Sequence, residues 1–143
     1  MKTVIHFEEE QMKLNTQADA IIHFIKEMDI EMLDAFLDDG NTYQNLKKNI
    51  FLSKLQDVFK SMQFAGDKKL QAHAGKCIGC NKGCTGFSFV GSRSKNYFDL
   101  IVDIRAGRVR DLYQCFRFAN ADASIKKKES MEIFPPCNDD APF

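Results

Sequence analysis

The spacing of apolar residues changes near Lys69 from three-and-four to two, and after Phe118 the periodicity stops. From Thr16 onward, Ala18, Ile21, Ile22, Ile25 and Met28 form one stripe of a helix. Thr16-Gln-Ala-Asp19 stands at its start with capping-box spacing, Asp in the place of Glu. Asp29 is placed to cap a shorter helix with the stripe Ile30, Leu33, Phe36 and Leu37, and Gly40 offers it a left-handed C-terminus. Asn41 to Leu46 is too polar for a core helix and has room for only one strand or a loop. Asn49 then opens the strongest helix, with Ile50, Phe51, Leu55, Val58, Phe59 and Met62 on one face, and Phe64-Ala-Gly-Asp-Lys68 ends it.

Beyond Lys69 the pattern is that of strands. Leu70, Ala72 and Ala74 alternate with Gln71, His73 and Gly75, and Phe87 to Val90 follows a cysteine-rich connection. In Tyr97 to Ile104 the residues Phe98, Leu100, Val102 and Ile104 share one face and Asp99 and Asp103 the other. Arg105-Ala-Gly-Arg108 is a hairpin turn that returns Val109 to Phe118 beside this strand. A two-residue turn sets Phe98 opposite Cys115, whereas a bulge or an extra loop residue sets Phe116 there, so the face of Tyr113 depends on one residue of register.

Helix, helix, short extended piece, long helix and strand meander is an α+β order, with a curved antiparallel sheet packed on N-terminal helices. Over Gln17 to Phe118, in stretches such as Ala20-Ile-Ile-His-Phe-Ile25, Phe36-Leu-Asp-Asp39 and Leu112-Tyr-Gln-Cys-Phe-Arg-Phe118, the chain resembles the nuclear transport factor 2-like superfamily. The resemblance implies a cone-shaped domain, placed over residues 1–118, while the loss of periodicity after Phe118 makes 119–143 an irregular tail, ordered only where Phe134 or Phe143 finds a pocket. It also implies a cavity, for which His73, Tyr113 and Tyr43 are the candidate lining residues, and pairing of two copies through the sheet as a homodimer. Members of the superfamily include isomerases, dehydratases and cyclases as well as proteins that only bind, so the fold does not assign the activity.

The 143 residues are 44% hydrophobic and 28% charged, the size and composition of one globular domain. Lys plus Arg equals Asp plus Glu at 20 each, which gives no field directed at nucleic acid or a membrane surface. Three acids follow closely on the start, and no apolar run approaches a membrane span, so the chain is expected to be cytoplasmic. Its 5 cysteines are then expected as reduced thiols or metal ligands.

Cys77, Cys80 and Cys84 form C-x2-C-x3-C with Gly79 and Gly83 between them, a spacing that lets thiolates converge on Zn²⁺ at about 2.3 Å. Three readings stand side by side: a glycine-rich turn with reduced cysteines, a structural zinc, and a redox pair. The fourth ligand would be His73, Cys115 or Cys137, and along regular strands Cys115 falls about 16 Å from Cys84. Catalysis would need a carboxylate base and a donor, to be found among Asp99, Asp103, Tyr97, Tyr113, Tyr43 and His73, but no acid and Tyr pattern of the superfamily's enzymes is matched. The reading drawn is a ligand- or partner-binding domain without catalysis, using the cone cavity. The alternative is a small isomerase, dehydratase or cyclase in the same cavity, with or without a structural zinc.

Overall fold

The computed structural model describes residues 16–77, 85–115, 118–119, 130–131 and 133. The described fold is α+β. Helices α1 (Gln17–Lys26) and α2 (Ile30–Phe36) are followed by strands β1 (Thr42–Tyr43) and β2 (Leu46–Lys47) and by helix α3 (Lys48–Phe64). Strands β3 (Leu70–Cys77), β4 (Thr85–Gly91), β5 (Tyr97–Arg105), β6 (Arg108–Tyr113) and β7 (Phe118–Ala119) come next. The large sheet is antiparallel in the order β6-β5-β4-β3-β7, and β1 and β2 form a small hairpin.

The caps act where the sequence places them. Thr16 accepts from the Asp19 N–H at 3.0 Å and Asp29 from the Met32 N–H at 3.1 Å. Between the helices, Met28 takes φ 56° while its N–H donates to the Ile25 carbonyl and the Asp29 N–H to that of Phe24, a Schellman closure without glycine. Gly40 does not close α2. That helix stops at Phe36, and Leu37 turns extended, which buries its side chain. The carbonyls freed there go instead to Lys48, whose Nζ donates to Asp34 O at 2.7 Å and Leu37 O at 3.1 Å. Asp39 and Asp34 hold the same ammonium at 2.6 and 3.0 Å.

The core lies between the helices and one face of the sheet. Ile21, Ile25 and Leu33 meet Phe51, Leu55, Phe59 and Met62 of α3 and Leu70, Phe89, Phe98, Leu100, Val102, Val109 and Leu112 of the strands. Aromatic rings run through it in contact, Phe59 to Phe98 at 6.3 Å, Phe98 to Phe89 at 5.3 Å and Phe89 to Phe87 at 6.0 Å. Leu52 takes the place on the buried stripe of α3 expected for Ile50, which is exposed, as is Phe36 of α2.

Asn41 to Leu46 forms a hairpin instead of one strand or a loop: Gln44 and Asn45, both at positive φ, turn the chain so that Tyr43 pairs with Leu46. In the β5–β6 hairpin, Ala106 and Gly107 at φ 52° and 78° make the two-residue turn. A bulge follows between Asp103 and Ile104, with Arg110 the extra residue, so that Ile101 stands opposite Tyr113. The bulge resolves the register and puts Tyr113 on the face of Ile101, away from the helices.

After Tyr113 the chain crosses to the other edge of the sheet, where Phe118 pairs with Cys77 of β3. A flat sheet would separate β6 from β7 by about 19 Å, four strand spacings. The Phe118 N–H donates to Cys115 O, a turn whose ends lie within about 7 Å, so Tyr113 and Phe118 are at most about 14 Å apart. The sheet is therefore coiled. Beyond the expected limit at Phe118, Ser130 bridges Tyr97 in parallel and the Met131 N–H donates to Tyr97 O at 2.6 Å, on the flank of β5 that β6 has left. Ile133 is buried there, while Phe134 and Phe143 lie outside the described residues.

Candidate functional site

Strand register sorts the sheet's second face, the one turned away from the helices, into rows. Gln71, Val90 and Tyr97 form one, His73, Ser88 and Asp99 the next, and Gly75, Gly86, Ile101 and Tyr113 a third. The alternation that sends Phe87 and Phe89 into the core turns Ser88 to this face between them. Ser88 has no exposed surface, and its Oγ donates to Asp99 Oδ1 at 2.6 Å, a short charge-assisted bond. Asp99 is thus half-buried and held by a buried partner. His73, Ser88 and Asp99 lie side by side on three strands, and Ser88 directs its proton to the carboxylate, not to the imidazole. A hydroxyl so bound is a relay or an anchor, not an activated nucleophile, which would need the imidazole as its base.

The row beside it is shaped by glycine. A Cβ on Gly86 would come within 2.7 Å of Phe118 Cε1 and 2.8 Å of the Leu100 carbonyl, so the ring of Phe118 lies directly over the backbone there. Ile101 and Val90 are buried on this face, with Phe118 against Ile101.

The candidate cavity residues do not converge. Tyr43 is wholly buried in the core on the helix side, its ring 5.7 Å from that of Phe51, and its hydroxyl donates to Asp38 O at 3.1 Å. Burial pushes the phenol above its ordinary pKa. His73 and Tyr113 are on the opposite face, on β3 and β6, with β4 and β5 between them. Asp103 and Asp111 stand directly opposite each other on this face, and burial, with Asp103 adding to it, raises the Asp111 carboxyl above the usual range. Asp111 accepts from the Gln44 N–H at 2.9 Å, and Gln44 in turn accepts from the Gln114 N–H at 2.7 Å. Gln114 continues the chain of bonds to Met131 O and the Ile133 N–H, joining the β1–β2 hairpin, β6 and the C-terminal segment.

Of the expected metal ligands, the Cys77 side chain, Cys80 and Cys84 lie outside the described residues, as does Cys137. The backbone of Cys77 ends β3, and Lys76 pairs with Thr85, so the two ends of the cysteine loop are fixed as neighbours. Cys115 is a half-buried free thiol. Among the described residues no three His, Cys, Asp or Glu side chains are grouped to hold a metal ion.

Sequence reasoning missed two polar centres. Asp67, buried at the end of α3, accepts from the N–H groups of Arg93 and Ser94 and from the Ser94 hydroxyl at 2.6–2.8 Å and so fixes the β4–β5 turn. A recess of about 410 Å³ lies between Asp39 to Thr42 and the start of α3, whose N-cap Lys47 makes no side-chain capping bond. The Asp in Phe64-Ala-Gly-Asp-Lys68 was the one available signal, a turn acid after a helix.

Among the described residues no helix is long and apolar enough to cross a membrane. No family model, no curated protein and no solved structure matches the chain.

Proposed function

We propose that this chain is a non-catalytic binding domain of the nuclear transport factor 2-like cone type, homodimeric, that engages a protein partner over its surface. The observation that carries the reading is the run of rings Phe59, Phe98, Phe89 and Phe87, which occupies the space between helices and sheet where the superfamily's cavity would lie. Tyr43, a candidate for that cavity, has its hydroxyl bound to a backbone carbonyl and its ring among core residues. This favours a protein partner over a small apolar ligand. The surface supports it further. Met32, Phe36 and Ile104 are exposed, Phe36 with its ring 5.1 Å from Phe24. Gln17 links their two elements by donating to Phe36 O and accepting from the Val109 N–H, across the strand pair from Ile104.

The test is a titration of the purified chain with an anilinonaphthalene sulfonate dye, alongside light scattering. Fluorescence without saturable uptake and a mass of two chains are expected. Stoichiometric, saturable dye binding to the folded protein would restore a cavity ligand, and a monomer at all concentrations would end the homodimer.

A second reading has one specific observation in its favour, the Ser88 to Asp99 bond beside His73. An isomerase, dehydratase or cyclase would draw its acid and base from this row, on the second face of the sheet.

We also propose that Cys77, Cys80 and Cys84 hold a structural Zn²⁺. In support, the loop that carries them is pinned at both ends by the Lys76 to Thr85 pair. About one equivalent of zinc in protein purified without added metal is expected, and less than about a tenth would remove the proposal.

A further inference from the structure

We infer that the corner where α3 ends against the β4–β5 turn binds the surface of an anionic lipid bilayer, with Phe64 entering the headgroup region. Phe64 is 95% exposed, against 36–45% for Met32, Phe36, Ile50 and Ile104. Helix geometry puts it there. The buried stripe of α3 closes with Met62, and Phe64, two positions on, is turned about 200° from it just before the Ala65 cap. A lone exposed apolar side chain is ordinary. What sets this one apart is its surroundings.

The charges that balance over the whole sequence do not balance here. Residues 64–69 and 92–96 hold four cations, Lys68, Lys69, Arg93 and Lys95, and one acid, Asp67. Folding joins the two stretches. The Ser92 N–H donates to Lys69 O at 3.1 Å, and a Cβ on Gly66 would lie 2.8 Å from Arg93 Cδ, so the Arg93 stem crosses the chain two residues after Phe64. Asp67 is buried and turned to the N–H groups of Arg93 and Ser94, whereas Lys68, Lys69 and Arg93 are exposed. Lys69 reaches Glu27 at 3.8 Å with its side chain still 69% exposed. Lys60, one turn before Phe64, shares a recess with Glu27, Asp29 and Glu31 and does not enter the count.

Shape selects among anionic partners. A ring exposed on nearly every side has no pocket wall of its own, so its partner must close round it. The interface of a bilayer does so without a matching shape, taking up the ring while lysine and arginine stems carry their charges to the lipid phosphates. A nucleic-acid strand asks instead for a groove that tracks its backbone, and an acidic protein for a pocket made to this ring. The surface belongs to α3 and the β4–β5 turn, not to the Met32, Phe36 and Ile104 patch, so this inference and the protein partner proposed there stand or fall separately.

The test uses the whole chain, which has no Trp, with Phe64→Trp as an emission reporter. Vesicles of phosphatidylcholine with about 30% phosphatidylserine are expected to shift the indole emission to the blue and to carry the wild type down in sedimentation, and pure phosphatidylcholine to do neither. Phe64→Ser is expected to weaken partitioning at least about tenfold and Lys68→Gln about fivefold, the second loss shrinking in high salt. Both residues are exposed, so their variants should unfold at the wild-type temperature, which separates lost binding from lost folding. A wild-type chain that stays in the supernatant with both kinds of vesicle overturns the proposal. So does binding to phosphatidylserine that Phe64→Ser leaves unchanged, since the ring then stays in water. If a single-stranded oligonucleotide or polyglutamate shifts the indole emission and the vesicles do not, the corner serves another polyanion and the membrane assignment falls.

Discussion

Ser88, which has no exposed surface, gives its hydroxyl proton to Asp99 across the β4–β5 pair at 2.6 Å. Removing the hydroxyl leaves a half-buried carboxylate without this donor, and bonds to charged groups are the stronger ones. Ser88→Ala is expected to lower stability by about 1–3 kcal/mol in urea unfolding. Asp99→Asn, which keeps an acceptor oxygen, should lose less. Equal losses would mean that a neutral acceptor oxygen retains nothing of the bond and that the charge of Asp99 carries it all.

Gly91 and Asp67 depend on each other. A Cβ at Gly91 would stand 2.1 Å from Asp67 Oδ2, and the carboxylate cannot move away without giving up the turn N–H groups of Arg93 and Ser94. Gly91→Ala and Asp67→Ala are each expected to cost about 2–4 kcal/mol. Together they should fall short of the sum by about 1–3 kcal/mol, since the second change removes the atom with which the first collides. A double-mutant cycle by chemical denaturation checks this, and strict additivity would contradict the close approach.

The Asp111 carboxyl is raised in the folded chain by burial, with the Asp103 charge adding to it. Below the unfolded carboxylate range both states hold the proton and nothing is gained or lost. As the pH rises through that range the unfolded state releases its proton first, so the wild type loses stability up to the raised folded value. Asp111→Asn keeps an acceptor for the Gln44 N–H and has no such loss. The variant is expected to match the wild type near pH 3 and to exceed it near pH 7 in thermal unfolding. A variant less stable at neutral pH would mean that the charge on Asp111 strengthens its bond to Gln44 by more than its burial and Asp103 oppose it.

Ala106 occupies the first position of the β5–β6 turn at φ 52°, a conformation that Asn adopts more readily than Ala. Ala106→Asn is expected to stabilise the chain by about 0.5–1 kcal/mol, read as a shift in the urea midpoint without a change in slope.

What was legible in the sequence was whatever depends on neighbours along the chain. Thr16 and Asp29 announce helix starts because a cap acts on residues three positions away, and Phe98, Leu100 and Val102 announce a strand because one face repeats every second residue. The hairpin at Gln44 and Asn45 was hidden because it lacks the glycine that usually marks such a turn. Its conformation is held from outside by Asp111 and Gln114. The row of His73, Ser88 and Asp99 was hidden for a related reason: its members are 15 and 11 residues apart, and only the pairing of three strands makes them neighbours. Tyr113 could be assigned to neither face until the bulge was seen. Ser130 and Ile133 return to the sheet from a stretch with no periodicity, because their places are set by the flank of β5 that β6 leaves open.

The bulge at Arg110 has one more consequence. Were Arg110 drawn into a regular ladder opposite Asp103, Tyr113 would stand opposite Leu100, its phenol would turn toward the packed rings, and Leu112 would face outward. Sidedness in the last third of the chain is therefore a matter of counting. Loss of Arg110 would only heal the bulge and leave Leu112 inside, whereas a straightened strand that kept Arg110 would exchange the inside and outside of everything that follows on β6.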